Sequence, residues 1–318
     1  MMHLFDEKHI SPMLIAENVE PFADKEYLYE LKWDGERCIA YLDPKTGTEL
    51  HNKRQVAMLP KVPELAEIHK QAKKRCILDG ELMILVNGKP DFEKIQRRSL
   101  MSNRYKIEYE AGRFPATFMA FDCLYYDGQD ITMKPVTERK QYLQKAIRET
   151  DRLAISRVFD SSQAMALFQL AKEQGLEGIV AKEKTSLYFQ GKRTKTWLKM
   201  KNLMDDDFVV CGWIPKDNNM SSIVLGQYKD GKLIYKGHVT LGVGGEAFAK
   251  IKVQPRISCP PIDEEIPEGH GNEAARWIAP TLVCVVSFMH HTKNGGMRQP
   301  VFKGLREDKT PEECIDNT

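Results

Sequence analysis

At 318 residues the chain is too long for one ordinary hydrophobic core, so two domains of roughly 100 to 200 residues are the starting expectation. Hydrophobic residues make up 42% and charged residues 29%, which excludes bulk disorder, and no stretch nears the roughly 20 apolar residues of a membrane-spanning helix. A net charge of +2 demands no polyanionic partner, while seven scattered cysteines without C-x-x-C spacing and an acidic N-terminal stretch predict a cytoplasmic protein with reduced thiols and no secretory signal.

The first 200 residues alternate strand-like and helix-like segments. Residues 77–86 (ILDGELMILV) and 115–126 (PATFMAFDCLYY) are apolar and aromatic runs that predict buried strands. Residues 161–175 (SSQAMALFQLAKEQG) predict a helix: Met165, Phe168, Leu167 and Ala171 fall on one stripe, Ser161 or Ser162 caps the start, and Gly175 gives a left-handed stop. Residues 177–182 (EGIVAK) then predict a strand. The polar, acidic residues 201–207 (KNLMDDD) predict an exposed hinge, which places two domains at 1–204 and 205–318. Beyond it, residues 208–213, 223–228 and 232–241 predict strands, the last two joined by a hairpin turn at Asp230-Gly231, with little helix. That pattern fits a small antiparallel barrel or sandwich. Basic clusters at 70–75 (KQAKKR), at Arg97 with Arg98, and at 192–201 (KRTKTWLKMK) could follow a polyanion, although a solvated face is the plainer reading.

Six strings carry the chemistry, in this order: KWDGER (32–37), DGEL (79–82), Phe121-Asp122 with Leu124 and Asp127-Gly128, EGIVAK (177–182), Lys199-Met200-Lys201, and Arg306-Glu307-Asp308-Lys309. Each alone reads equally as an exposed turn or a solvated charged face. Together they resemble the ATP-dependent DNA ligases, within the covalent nucleotidyltransferase superfamily that also holds mRNA capping enzymes and RNA ligases. The segments YFQGKRTKTWLKMK, VVCGW and FKGLREDK look most like the ligase domain of bacterial ligase D proteins. The resemblance implies an α+β fold: a nucleotidyltransferase (adenylation) domain of mixed antiparallel sheets with helices, followed by an all-β OB-fold domain.

Joining a 5′-phosphate to a 3′-hydroxyl requires the phosphate to acquire a leaving group, and AMP taken from ATP is one. A lysine is a suitable carrier, but its ordinary pKa of about 10.4 leaves it protonated near neutral pH, so its site must favour the neutral amine. Lys199 and Lys201 alternate onto one strand face, where with a magnesium ion they could supply that pressure and neutralise the α-phosphate. The resemblance makes Lys32 the nucleophile. It assigns Glu81 and Glu177 to the ribose and to Mg2+, for which Mn2+ can substitute, Phe121 to stacking on adenine, and Glu30 to reading the base. Asp34 is implied in phosphodiester formation and Arg37 at the nick termini. Arg54, in HNKRQ, resembles a 5′-phosphate-gripping arginine; adjacent Lys53 leaves open which of the two takes that place. Arg193 is implied to line the nucleotide or nick pocket. Arg306, Asp308 and Lys309 are implied to swing over ATP and orient the departing pyrophosphate, which requires domain closure.

ATP rather than NAD is expected, because no further domain precedes the motifs and no cysteine cluster could hold a zinc module. The expected substrate is nicked or broken double-stranded DNA, handled by a monomer, with a Ku-like end-binding protein as partner at breaks. An RNA guanylyltransferase of the capping type and a non-catalytic OB-fold DNA-binding adaptor are the alternatives.

Overall fold

The computed structural model describes residues 4–292 and 295–316. The chain divides into two compact units, residues 1–202 and 203–318. In the first, a seven-stranded sheet follows the order Gly47–Asn52, Glu36–Asp43, Cys76–Val86, Ala116–Tyr126, Gln129–Asp130, with two short strands attached. A four-stranded sheet follows Leu14–Asn18, Arg193–Lys201, Gly178–Glu183, Tyr27–Leu31.

The central strands are buried on both faces, which is why they read as continuous apolar runs instead of alternating ones. Along Glu36–Asp43, Cys38, Ala40 and Leu42 join the core beneath helices Phe92–Leu100 and Val136–Ala146, while Ile39 and Tyr41 face the other way, into a core shared with Trp197 of the four-stranded sheet. The far side of the smaller sheet packs Tyr29, Ile179, Ala181 and Met200 against helix Ala164–Glu173. That helix buries Ala164, Leu167 and Ala171, whereas Met165 is 48% exposed, so Met165 lies off the expected stripe. It also starts later than expected. Ser162 spends its amide and hydroxyl on Asp160, and Gln163 precedes the helix without a side-chain cap, because the Asp160 turn competes for the serine. Gly175 has φ +66°, as its left-handed stop requires.

The second unit is a sheet in the order Lys232–Gly242, Met220–Lys229, Met204–Lys216, Val283–Phe288, Val301–Arg306, with Arg276–Trp277 pairing onto Met204–Lys216 and, among the described residues, one α-helix, Glu246–Lys252. Asp230 and Gly231 both take positive φ, so the expected hairpin turn is present. The hinge expected over 201–207 is shorter than its acidic run: only Asn202 and Leu203 lie between strands, at the boundary of the two units. Asp205, Asp206 and Asp207 lie inside the strand Met204–Lys216, opposite Ser287, Val286 and Val285. Each carboxylate finds a partner there: Ser287 Oγ for Asp205, Gln227 Nε2 at 2.9 Å for Asp206, and Lys309 Nζ at 2.6 Å for Asp207. Paired acids can enter a strand that solvated acids would leave. The whole is an α+β chain, a unit of mixed sheets with helices followed by a mostly β unit.

Candidate active site

Lys32 immediately follows the strand Tyr27–Leu31, and its amide donates to Gly178 O at 2.9 Å, which ties the residue to the neighbouring strand. Its side chain enters an open cleft lined by Glu30, Trp33, Arg37, Glu81, Phe121 and Lys182 among others. Lys32 Nζ donates to Glu177 Oε2 at 2.6 Å, and Lys201 Nζ lies 3.6 Å from Glu177 Oε1, so one buried carboxylate bridges two lysines. Strand register places Lys201 opposite Gly178 and Lys199 opposite Val180, on the same face. Burial and the neighbouring charges of Lys201, Lys32 and Arg193 lower the Lys199 pKa. Lys199 and Lys201 therefore share one face of their strand, as their alternation predicts.

Glu81, reached from the adjacent sheet, has no hydrogen-bond or ion-pair partner among the described residues, and burial pushes its carboxyl up to about 8 against the pull of Arg37 and Lys32, with Glu177 adding repulsion. Two facing carboxylates, one unpartnered, suit a hard divalent cation that completes its shell with phosphate oxygens and water. No cluster of three or more ligating side chains exists among the described residues.

Arg37 gives Nε and Nη2 to Asp79, each at 2.6 Å, and its guanidinium carbon sits 4.4 Å from the Phe121 ring centroid. Asp79 also accepts from Tyr188 Oη at 2.6 Å. Burial opposes the charge on Arg37, but Asp79 overrides it and raises the pKa. Phe121 is 8% exposed, and Lys182 Nζ also lies 4.6 Å from its ring centroid. Glu30, at the cleft floor, is 1% exposed. Its Oε1 lies 2.5 Å from Lys140 Nζ and 2.8 Å from Lys182 Nζ, ion pairs whose angles fall short of hydrogen-bond geometry.

Other expected residues lie apart from the cleft lining. Arg193 is exposed and donates to Ile15 O at 2.8 Å. Arg54 is exposed on a turn whose amide donates to Asn52 Oδ1 at 2.9 Å, and Asn52 in turn donates to Glu36 Oε1 at 2.7 Å. Asp34 is half-buried between the strands Tyr27–Leu31 and Glu36–Asp43. Of the basic clusters, Arg98 is 1% exposed and pairs with Glu64 at 3.2 Å, so it is not available to a polyanion. In the second unit, Arg306 chelates Asp308 and also reaches Asp207 at 3.0 Å, which Lys309 shares. The R-x-D-K side chains thus form a closed ionic network inside their own unit.

Lys140, Lys182, Trp33, Trp197 and Tyr188 received no site role from sequence reasoning. Alternation along EGIVAK puts Lys182 on the face of Val180, which lines the cleft, and that signal could have found it. Lys140 sits in a charged helix, with nothing in its surroundings to mark it.

No helix among the described residues is long and apolar enough to cross a membrane. The ATP dependent DNA ligase domain matches residues 11–201, and the ATP dependent DNA ligase C terminal region matches residues 216–309. The SPbeta prophage-derived DNA ligase-like protein LigB of Bacillus subtilis is 35% identical over 302 residues, 93% of this chain and 99% of that protein. The multifunctional non-homologous end joining DNA repair protein LigD of Mycobacterium tuberculosis is 26% identical over 98% of this chain, which spans 40% of the length of LigD. Among solved structures, mycobacterial DNA ligase D complexed with ATP and MES matches with a TM-score of 0.55 and 25% identity, covering 98% of this chain and 99% of that one. Both units carry family domains in family order, and the chain belongs to the ATP-dependent DNA ligases.

Proposed function

We propose that this chain seals 5′-phosphate/3′-hydroxyl nicks in double-stranded DNA through AMP carried on Lys32. The observation that supports this most is the place of Lys32 Nζ in the cleft, 2.6 Å from the Glu177 carboxylate that Lys201 also approaches. Lys32, held by Glu177 at 2.6 Å, releases its ammonium proton to water in the open cleft, and its lone pair forms a bond to the α-phosphorus of ATP while the P–O bond to pyrophosphate breaks. Lys199 and Lys201 balance the negative charge that grows on the α-phosphate oxygens. Glu81 and Glu177 would hold a magnesium ion, for which manganese can substitute, and the ion supplies further charge neutralisation at the phosphates. The 5′-phosphate of the nick then takes AMP from Lys32, which recovers its proton. Finally the 3′-hydroxyl attacks that phosphorus, the phosphodiester forms, and AMP leaves.

Phe121 and Glu30 serve the adenine, and Arg193 the nucleotide or nick pocket. Arg37, Asp34 and the Arg54 turn serve the nick. Arg306, Asp308 and Lys309 serve pyrophosphate departure, for which their pairs with Asp207 must open. Action as a monomer on breaks presented by a Ku-like end-binding protein, in the cytoplasm and at the nucleoid, belongs to the same reading. The test is gel-resolved joining of a nicked duplex by the purified chain with ATP and magnesium. Joining should require the 5′-phosphate and consume ATP; joining of a 5′-hydroxyl nick, or none with either substrate, would reject the reading.

A further inference from the structure

The Arg37 side chain is 20% exposed, and most of its guanidinium is committed within the fold. Nε donates to Asp79 Oδ1 and Nη2 to Asp79 Oδ2, each at 2.6 Å, and Nη2 also reaches the Met13 carbonyl at 3.4 Å. Among the described residues Nη1 has no protein partner, so its two N–H groups are the donors left for a ligand in the cleft that Arg37 lines. Asp79 and Met13 are in turn joined by one further side chain. Tyr188, in the connection between strands Gly178–Glu183 and Arg193–Lys201, donates Oη to Asp79 Oδ2 at 2.6 Å and accepts from the Met13 amide at 3.0 Å. The hydrogen bonds thus run from Arg37 to Asp79, Tyr188, Met13 and back to Arg37 in a closed circuit. Asp79 and Met13 are 0% exposed and Tyr188 2%, so bulk water does not reach the place of the hydroxyl.

We propose that Tyr188 is a positioning residue for nick binding: through Asp79 and Met13 its hydroxyl fixes the Arg37 guanidinium so that Nη1 stays free to grip a phosphate oxygen at the nick. The inference rests on the assignment of Arg37 to the nick and adds to it a residue to which the ligase motifs gave no role.

Phenylalanine at this place keeps the ring, which packs edge-on to Trp197 with centroids 6.2 Å apart, and removes the hydroxyl alone. Asp79 then loses one of its three side-chain donors, and the buried Met13 amide loses its acceptor. An amide left without an acceptor must shift to find one, and its own carbonyl, the second anchor of Nη2, shifts with it. Burial and the Asp79 charge push the Tyr188 pKa well above the ordinary phenol value, so the hydroxyl remains a donor throughout the neutral range.

The test measures closure of a pre-adenylated nick and, separately, AMP labelling by ATP without DNA, each with magnesium, for the parent, Tyr188→Phe, Arg37→Ala and the double variant. In Tyr188→Phe the KM for the nick should rise about tenfold, the loss of one hydrogen bond to a charged group, with smaller changes in kcat and in the ATP KM for labelling. That rise should be the same from about pH 6 to about pH 8, because no proton leaves the phenol in this range. In the double variant the nick KM should match that of Arg37→Ala, since a residue acting through Arg37 has nothing left to position. Tyr188→Met, equally without a hydroxyl, is the second variant should the phenylalanine fail to fold. A parent-like nick KM in either folded variant, a further loss in the double variant, or an ATP KM raised as far as the nick KM would overturn the inference and leave Tyr188 a core residue. An Arg37→Ala chain that closes the nick like the parent would take the nick from Arg37 and the inference with it, whereas a parent that closes no nick would reject the proposed function.

Discussion

Gly178→Ala tests whether the site depends on strand spacing. Gly178 lies opposite Lys201, its carbonyl accepts from the Lys32 amide, and Glu177 precedes it. A Cβ there would stand 2.0 Å from Met200 O and 2.9 Å from Lys201 Cα, on a backbone at φ +133°. Reaching the 3.0 Å below which real Cβ contacts essentially never fall requires a displacement of about 1 Å between the strand that follows Glu177 and the strand that carries Lys201. The strained φ costs about 1–3 kcal/mol and the overlap about as much again. A misplacement of about 1 Å at a reacting centre costs on the order of 100-fold in rate. Gly128→Ala is the control: φ is +91° with nothing within 4 Å of the added Cβ, so it carries the strain without the overlap. Urea unfolding and the rate of AMP labelling separate the two effects. The expected outcome is that both variants lose stability, Gly178→Ala more, and that only Gly178→Ala loses labelling by about two decades. Equal labelling rates in the two would refute the argument that this glycine sets the spacing of Glu177 from the lysines.

Other outcomes follow from individual side chains. Because Glu81 stays protonated up to about 8 in the folded chain, while an unfolded glutamate ionises near 4.3, stability should fall as pH rises between those values. Glu81→Gln should flatten that fall in urea titrations and lose magnesium-dependent labelling; an equally steep fall in the variant counts against the perturbed carboxyl. Arg306→Ala or Lys309→Ala should cripple AMP labelling yet largely spare closure of a nick that already carries AMP, whereas equal loss of both steps would leave the R-x-D-K segment a structural element or part of a DNA clamp. Asp34→Ala should show the reverse pattern, with labelling retained at least in part and phosphodiester formation failing on a pre-adenylated nick; full closure there would remove Asp34 from the final step.

The strands and the order of the two units were legible because two-sided burial writes long apolar runs and because hairpin turns demand Asp-Gly pairs. Less legible was why the motif glycines are glycines. Gly35 reads as a turn, but a Cβ there would stand 2.2 Å from Leu82 O, so close backbone approach excludes any side chain. Asp79 and Asp122 sit inside motifs next to site residues, yet both are fully buried partners of arginines, Arg37 and Arg139, which hold the sheets and the cleft wall in place. The triplet Asp205 to Asp207 resembles a hinge because sequence shows the acids and not their partners, which arrive from residues 227, 287, 306 and 309. Lys140 was invisible for the same reason: its partner Glu30 is more than a hundred residues away.

The central claim is that Lys32 carries AMP, and the most direct measurement is peptide mapping by mass spectrometry after incubation with ATP and magnesium, without DNA. The expected result is one AMP adduct on the peptide containing Lys32, chased off by nicked DNA and missing from a folded Lys32→Ala chain. An adduct on another residue, or one that persists in Lys32→Ala, would contradict the account.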